Sequence, residues 1–207
     1  MIFQIPVTVQ PWFWVVLAFL SGQLTADSFP SILLMLLFLV AGFFSILVHE
    51  LGHGLTAQHF GKRVEIVLQA FGGYAAYSGG APLSRRQSLL VTAAGPGLQI
   101  LLGVLAFVAW RSLPHVNANL DYFFKVLAII SVVWAVLNLL PVLPLDGGRL
   151  VESALGPERR KTTLLISCIV GGVICLIGLG TGQLFLAVFL GMFAYQSFQE
   201  LRGPRWN

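Results

Sequence analysis

Two histidines and a glutamate with helical spacing are the residues best suited to chemistry: His49, Glu50 and His53. Side chains four residues apart on a helix project from the same face, so both imidazoles can reach one metal ion. Glu50 lies about 100° round the helix from His49, close enough to hydrogen-bond a water molecule held by that metal. The spacing therefore predicts a metal site with a general base beside it. The alternatives are a chance match to a short motif, or two histidines hydrogen-bonded inside a helix bundle.

The segment that leads to these residues is as apolar as a membrane span. Residues 31–48 carry no charge, and the 207-residue sequence is 57% hydrophobic and 10% charged, whereas ordinary globular domains are about 25% charged. Ionisable groups at the end of such a run are costly in lipid and indicate function. The composition predicts an α-helical integral membrane protein. The net charge of +4 does not indicate nucleic acid as a partner, because the basic residues fall in short clusters between apolar runs.

Apolar runs predict about six transmembrane helices, at residues 12–24, 31–59, 88–110 and 121–140 and as two spans within 162–200. We expect one transmembrane domain over residues 1–207, with a catalytic core at about 31–150. Pro96 is expected to disturb the third span, and Asp146-Gly147-Gly148 to form a turn.

Alternating apolar and polar residues predict a small membrane-associated β-sheet. Residues 2–10 form one such segment, in which Pro6 favours an edge strand. Residues 64–69 and 74–78 predict a hairpin that turns at Gly72-Gly73.

The basic residues predict how the spans are oriented. With a cytoplasmic N-terminus, ten of them fall on the inner side and two, Arg111 and Lys125, on the outer side. We therefore expect a multi-pass protein of the cell membrane with both termini in the cytoplasm. The far end of the second span and the end of the fourth would meet on the cytoplasmic side, which places the metal site there.

A catalytic zinc ion needs a third protein ligand and one open position. His59 is poorly placed, because six residues from His53 turn it to another face of the helix. His115 is expected on the outer side. Asp146, near the cytoplasmic end of the fourth span, is the strongest remaining candidate, and its alternative is an ordinary aspartate in a surface turn.

The segment from Asn138 to Gly147 has the pattern N-x-x-P-x-x-P-x-D-G. Together with His49-Glu50-Leu51-Gly52-His53, it resembles the site-2 protease family, the intramembrane zinc metalloproteases of peptidase family M50. Ala94-Gly95-Pro96 is similar to the family's A-G-P segment, and the stretch from Ile5 to Pro11 to its opening strand. The resemblance covers the first four spans.

Two residues depart from the family pattern. Gln99 stands where relatives often have asparagine, and Gln10 where many have histidine. Neither removes a catalytic group. The sequence shows no PDZ or CBS domain, so the resemblance is to a minimal catalytic form that starts at residue 1 and leaves regulation to separate membrane proteins.

The resemblance implies the roles of the site residues. His49, His53 and Asp146 would hold one zinc ion per chain, and Glu50 would be the general base for attack of zinc-activated water on the peptide bond. Asn138 would bind the substrate backbone or the developing oxyanion. The expected function is cleavage of a transmembrane segment of single-span membrane proteins, that is, regulated intramembrane proteolysis.

An unwound substrate segment needs new hydrogen-bond partners, and we expect an exposed strand edge near Ile66 or Ala75 to bind it. Two alternatives to a protease remain. A catalytically silent membrane chaperone would be expected to lose Glu50 or a ligand, and all are present. A zinc-binding transporter would be expected to have polar residues along a path, and the third, fifth and sixth spans have almost none.

Overall fold

The structure is a computed structural model that describes residues 4–24, 28–70, 72–113 and 117–203. The first residues of the expected opening strand and His115 lie outside these ranges. In chain order the elements are β1 (Val7–Val9), α1 (Pro11–Leu20), α2 (Phe29–His59), β2 (Arg63–Gln69), β3 (Gly72–Ser78), α3 (Arg85–Ser112), α4 (Ala118–Asn138), α5 (Asp146–Leu155), a 3₁₀ turn (Pro157–Arg159), α6 (Arg160–Gly180) and α7 (Leu184–Arg202).

Five of the described helices are long and apolar enough to cross a membrane: α2, α3, α4, α6 and α7. The protein is thus a multi-pass membrane protein with a small sheet, as expected. The expected first span is shorter than predicted, because α1 has 10 residues. Such a helix is about 15 Å long, half the thickness of the hydrocarbon core.

The three strands form one sheet in the order β1-β2-β3. β1 pairs with β2 in parallel, Val7 opposite Ile66, and β2 pairs with β3 in antiparallel, Ile66 opposite Ala75. The expected hairpin and the edge position of β1 are confirmed. The expected turn at Gly72-Gly73 is wrong, because both glycines belong to β3 and pair with Gln69 and Leu68. The expectation of a free edge at Ile66 is wrong, because β2 is the central strand and Ile66 is fully buried. Among the described strands, the unpaired edges belong to β1 and β3.

One compact unit comprises residues 1–83 and 93–135. In it, the end of α2 packs on the buried face of the sheet, where a side chain at Gly54 would meet Val64 and Ile66 at 3.2 and 3.5 Å. Leu17 of α1 packs against Gly42 of α2. The sheet therefore lies beside the end of α2 that carries the two histidines.

A second compact unit comprises residues 84–92 and 136–207. Its core is built around Val142, Leu190 and Phe193. The two spans expected within residues 162–200 are α6 and α7, which form a hairpin whose turn includes Gly182, with positive φ. Arg160 at the start of α6 forms ion pairs with Glu152 and Glu200.

Two local expectations differ from the structure. α3 continues through Pro96, which is fully buried. The N–H that this proline lacks therefore does not end the helix. The expected turn at Asp146-Gly147-Gly148 is the first turn of α5. Glycine and aspartate are typical of turns, but aspartate also suits a helix N-terminus, and the packing of Gly147 described below favours the helix.

Candidate metal centre

His49 and His53 lie one turn apart on α2 and are 4% and 6% exposed. Their Nε2 atoms are 3.1 Å apart, with the two rings nearly perpendicular. Two nitrogens bound to one zinc ion at about 2.0–2.1 Å in a tetrahedral arrangement lie roughly 3.3 Å apart. Regular helix geometry thus brings the two imidazoles to the separation that a shared metal requires.

Asp146 is the first residue of α5 and is 7% exposed. The chain from the end of α4 folds back so that Gly147 packs against the carbonyl oxygens of Leu139 and Leu140, where a side chain would overlap both. Gly148 packs in the same way against Val142. The position of this aspartate therefore depends on close backbone packing within its own segment.

His49, His53 and Asp146 each offer one ligand atom, and these atoms all lie within 4.8 Å of one another. Two imidazole nitrogens and one carboxylate oxygen are a donor set of catalytic zinc sites, which leave a fourth position open. All three residues are buried, so they are shielded from competing solvent. The donors and their spacing fit a zinc ion.

Glu50 is 4% exposed on α2 and contacts the start of β3. A side chain at Gly73 would approach the Cγ and Oε1 atoms of Glu50 to 2.7 and 2.8 Å. The carboxyl group of Glu50 thus lies against the backbone of the edge strand β3. Glu50 directly follows His49 in the sequence. A group in this place can exchange protons with a peptide that runs beside β3.

Gln99 is a buried neighbour of the site that the sequence did not identify as functional. Its side chain is fully buried on α3, and its Oε1 lies 2.9 Å from Nδ1 of His49. One signal was available in the sequence, because Gln99 is the one amide side chain between Ala93 and Trp110 in an otherwise apolar span. A polar amide buried in a membrane span needs hydrogen-bond partners, so its presence indicates a structural or functional role.

Small residues let α3 approach α2 at the level of the histidines. A side chain at Gly95 would overlap Nε2 of His53, and one at Gly52 would meet the carbonyl oxygen of Ala94 at 2.5 Å. Gly95 and Gln99 are one turn apart on α3, as His53 and His49 are on α2. The A-G-P segment therefore provides the space that the histidine pair occupies.

The remaining predicted residues lie as follows. Asn138 is the last residue of α4 and is half-buried. Ala75 lies on the edge strand β3, whereas Ile66 lies on the central strand. His59 is exposed at the end of α2, where its ring packs on Phe60. His59 is thus turned away from the other histidines, as its spacing predicted.

The chain is similar to curated proteins over most of its length. The chain is 28% identical to the zinc metalloprotease MJ0392 of Methanocaldococcus jannaschii, over 78% of this chain and 46% of that protein. It is 29% identical to stage IV sporulation protein FB of Bacillus subtilis, over 93% of this chain and 66% of that protein. The chain thus spans about half the length of the first relative and about two thirds of the second.

A solved structure has the same fold. The site-2 protease from Methanocaldococcus jannaschii superposes with a TM-score of 0.64, covering 100% of this chain and 95% of that chain at 22% identity. The sequence profile described as peptidase family M50 matches residues 37–116 and 112–178, which include both histidines, Glu50 and Asp146. The chain therefore belongs to peptidase family M50.

Proposed function

We propose that this chain is an intramembrane zinc metalloprotease that cleaves a transmembrane segment of single-span membrane proteins. The observation that carries the proposal is the buried cluster of His49, His53 and Asp146 with Glu50 beside it, near the end of the 31-residue apolar helix α2. His49 follows Ser31 by eighteen residues, roughly 27 Å of helix. Chemistry at this depth acts on peptide bonds inside or at the edge of the membrane.

The two histidines and Asp146 would hold one zinc ion per chain. When bound, zinc supplies Lewis-acid activation of a water molecule and of the substrate carbonyl. Glu50 accepts a proton from the attacking water while the water oxygen bonds to the carbonyl carbon of the substrate. Glu50 then passes that proton to the leaving nitrogen as the C–N bond breaks, so one water is consumed per bond. General acid–base transfer of this kind contributes about 10²–10⁴-fold to the rate.

Asn138 is proposed to hydrogen-bond the substrate carbonyl or the oxyanion that develops from it. Its amide N–H₂ group can donate to an oxygen that gains negative charge during the attack. Its place at the end of α4, half-buried, leaves it accessible to a substrate. Asn138→Ala should lower the cleavage rate and leave zinc content unchanged.

The substrate is proposed to pair with β3 as an added strand. Gly73 of this strand lies against Glu50, so a peptide aligned along β3 passes close to the base. A helical substrate hides its carbonyl groups in internal hydrogen bonds, and leaving them unpaired in lipid costs several kcal/mol. An unwound segment held by a strand edge avoids that cost.

A pair of substrates tests the unwinding step. A single span with Gly, Pro or Asn in its cytoplasmic third should be cut faster than the same span with Leu at those positions. Both are assayed with the purified enzyme in the same lipid. A uniform poly-Leu span cut at the same rate would remove unwinding from the mechanism.

The metal end of α2 is proposed to face the cytoplasm, with both termini on that side. β1 pairs with β2, which follows α2, so the start of the chain lies beside the histidine end of α2. α1 then covers about 15 Å from that side. Cysteines introduced at Gln4 and Arg205 should react with an impermeant thiol reagent only after lysis. Labelling of Gln4→Cys in intact cells would contradict this topology.

Substrate trapping tests the protease assignment itself. Glu50→Gln should keep the metal and the fold while the peptide bond survives. Membrane proteomes of cells with wild type and with Glu50→Gln are compared, and single-span proteins should accumulate or co-purify only with the variant. Identical proteomes, together with a low zinc content of the wild type, would instead favour a silent membrane chaperone.

A further inference from the structure

Three polar side chains from three different spans form a buried network that ends at His49. Gln99 of α3 places its Nε2 2.9 Å from Oγ of Ser45 and 3.3 Å from the carbonyl oxygen of the same residue, both on α2. Ser131 of α4 donates to Oγ of Ser45 at 3.0 Å. All three side chains are fully buried. The network thus connects α2, α3 and α4 behind the histidine pair.

The carbonyl oxygen of Ser45 fixes the orientation of the Gln99 amide. A carbonyl can only accept, so the amide atom beside it must be the N–H₂ group. Oε1 of Gln99 therefore faces Nδ1 of His49, and because this oxygen can only accept, Nδ1 carries the hydrogen. A neutral imidazole protonated at Nδ1 has its lone pair on Nε2, the atom 3.1 Å from His53 Nε2. The reverse amide orientation would bring two carbonyl oxygens together.

We propose that Gln99 is a positioning residue that selects the tautomer and the ring orientation of His49, so that Nε2 presents its lone pair to the metal. The inference rests on the proposed zinc site and deepens it. Partners of this kind raise ligand basicity, and their loss typically weakens metal binding about 10–100-fold. Ser45 holds the amide and Ser131 holds Ser45, so both serines act on His49 through Gln99.

The Gln99 side chain is long enough to contact two groups on α2. It reaches both His49 and the carbonyl of Ser45 at once. Asparagine, shorter by one methylene, would leave one of these two groups without its present partner at the same backbone separation.

Zinc affinity separates a positioning role from simple packing. Zinc is titrated against a competing chelator in detergent-solubilised wild type, Gln99→Met and Gln99→Glu. Gln99→Met keeps the volume and loses the acceptor, so affinity should fall about 10–100-fold. Gln99→Glu keeps an acceptor for Nδ1 but sets its second oxygen beside the carbonyl oxygen of Ser45, so it should restore only part of the loss. Thr163→Val, at a buried polar residue of α6, is the matched control and should bind as the wild type.

Spectroscopy tests the tautomer directly. In zinc-loaded protein with ¹⁵N-labelled histidine, the ring shifts should show the metal on Nε2 of His49 and the hydrogen on Nδ1. The visible spectrum of the cobalt-substituted protein should change in Gln99→Met and not in Thr163→Val. If Gln99→Met does not fold, Ser45→Ala removes one partner of the amide and should weaken zinc binding severalfold.

Several results would overturn the proposal. These are wild-type affinity in Gln99→Met, wild-type affinity in Ser45→Ala, or zinc bound to Nδ1 of His49. Because affinity and not cleavage is measured, each of these leaves the protease assignment intact as long as the wild type binds one zinc ion and cleaves. A wild-type chain that binds no zinc would overturn both proposals.

Discussion

The two segments that carry the candidate metal ligands position them in different ways. On α2, the regular helix sets the separation of His49 and His53, and Gly95 of α3 provides the space they need. Between the end of α4 and the start of α5, the backbone is irregular, and the Leu143–Pro144 peptide bond is cis. There the carboxylate of Asp146 depends on the way its own segment folds.

This difference predicts two kinds of failure. A change near the histidines alters the ligand atoms while the hydrogen bonds of α2 keep its backbone in place. A change in the second segment must move backbone, because Gly147 packs on carbonyl oxygens rather than on flexible side chains. Substitutions in the first segment should therefore weaken metal binding with little loss of folding stability, whereas substitutions in the second segment should lower both.

Removal of a ligand should have the largest effect on zinc affinity, whichever segment supplies it. His49→Ala and Asp146→Ala each leave two of three protein ligands, so both should weaken binding by more than the roughly 10–100-fold typical of outer partners. Chelator competition measures the effect, with Thr163→Val as control. An Asp146→Ala variant with wild-type affinity would show that this aspartate is no ligand.

Gly147→Ala should be the most destabilising glycine substitution. Its new methyl group overlaps the carbonyl oxygens of Leu139 and Leu140, and overpacking of this kind costs roughly 3 kcal/mol. Gly172→Ala on α6 meets nothing within 4 Å and should gain up to about 1 kcal/mol from helix propensity. Thermal unfolding in detergent compares the two. Equal Tm values would contradict the proposed packing of the second segment.

Gly95→Ala should affect metal binding more than stability. Its methyl group would push on Nε2 of His53, so zinc affinity should drop about tenfold or more, with a smaller loss of Tm. Gly97→Ala, two residues along the same helix, meets nothing within 4 Å and is the matched control. If both variants bind zinc like the wild type, the space at Gly95 does not serve the histidine.

Proline on the edge strand should have the smallest effect, and only on cleavage. Successive N–H groups of a strand point alternately to its two sides. Proline has no N–H, so one of the variants Ala75→Pro and Ala76→Pro loses a hydrogen bond to β2, and the other loses a donor on the free edge. The edge variant should slow cleavage severalfold at unchanged zinc content and Tm. Unchanged cleavage in both variants would argue against strand addition at β3.

Helical periodicity alone was enough to predict the histidine pair and Glu50, because three residues on one helix need no tertiary information. Asp146 was different, since its spacing from His53 has no local meaning and an Asp-Gly pair is usually a surface turn. The resemblance of residues 138–147 to a family motif, and not geometry, identified it. The structure adds the reason, in the packing of Gly147 and Gly148.

Features that depend on neighbours in space were missed. Ile66 was expected at a free edge, because an alternating pattern shows which face of a strand is buried but not which strands flank it. The first helix is shorter than expected, because an apolar run indicates burial and does not fix where a helix ends. Gln99 was noted as a departure, but its contacts with His49 and Ser45 lie fifty and more residues away in sequence.

The central claim is that Glu50 performs proton transfer at a zinc site held by α2 and Asp146. The most direct test measures zinc content and cleavage of a trapped single-span substrate for purified wild type and Glu50→Gln. We predict about one zinc ion per chain in both proteins, and a cleavage rate about 10²–10⁴-fold lower in the variant. A fully active Glu50→Gln enzyme would contradict the mechanism.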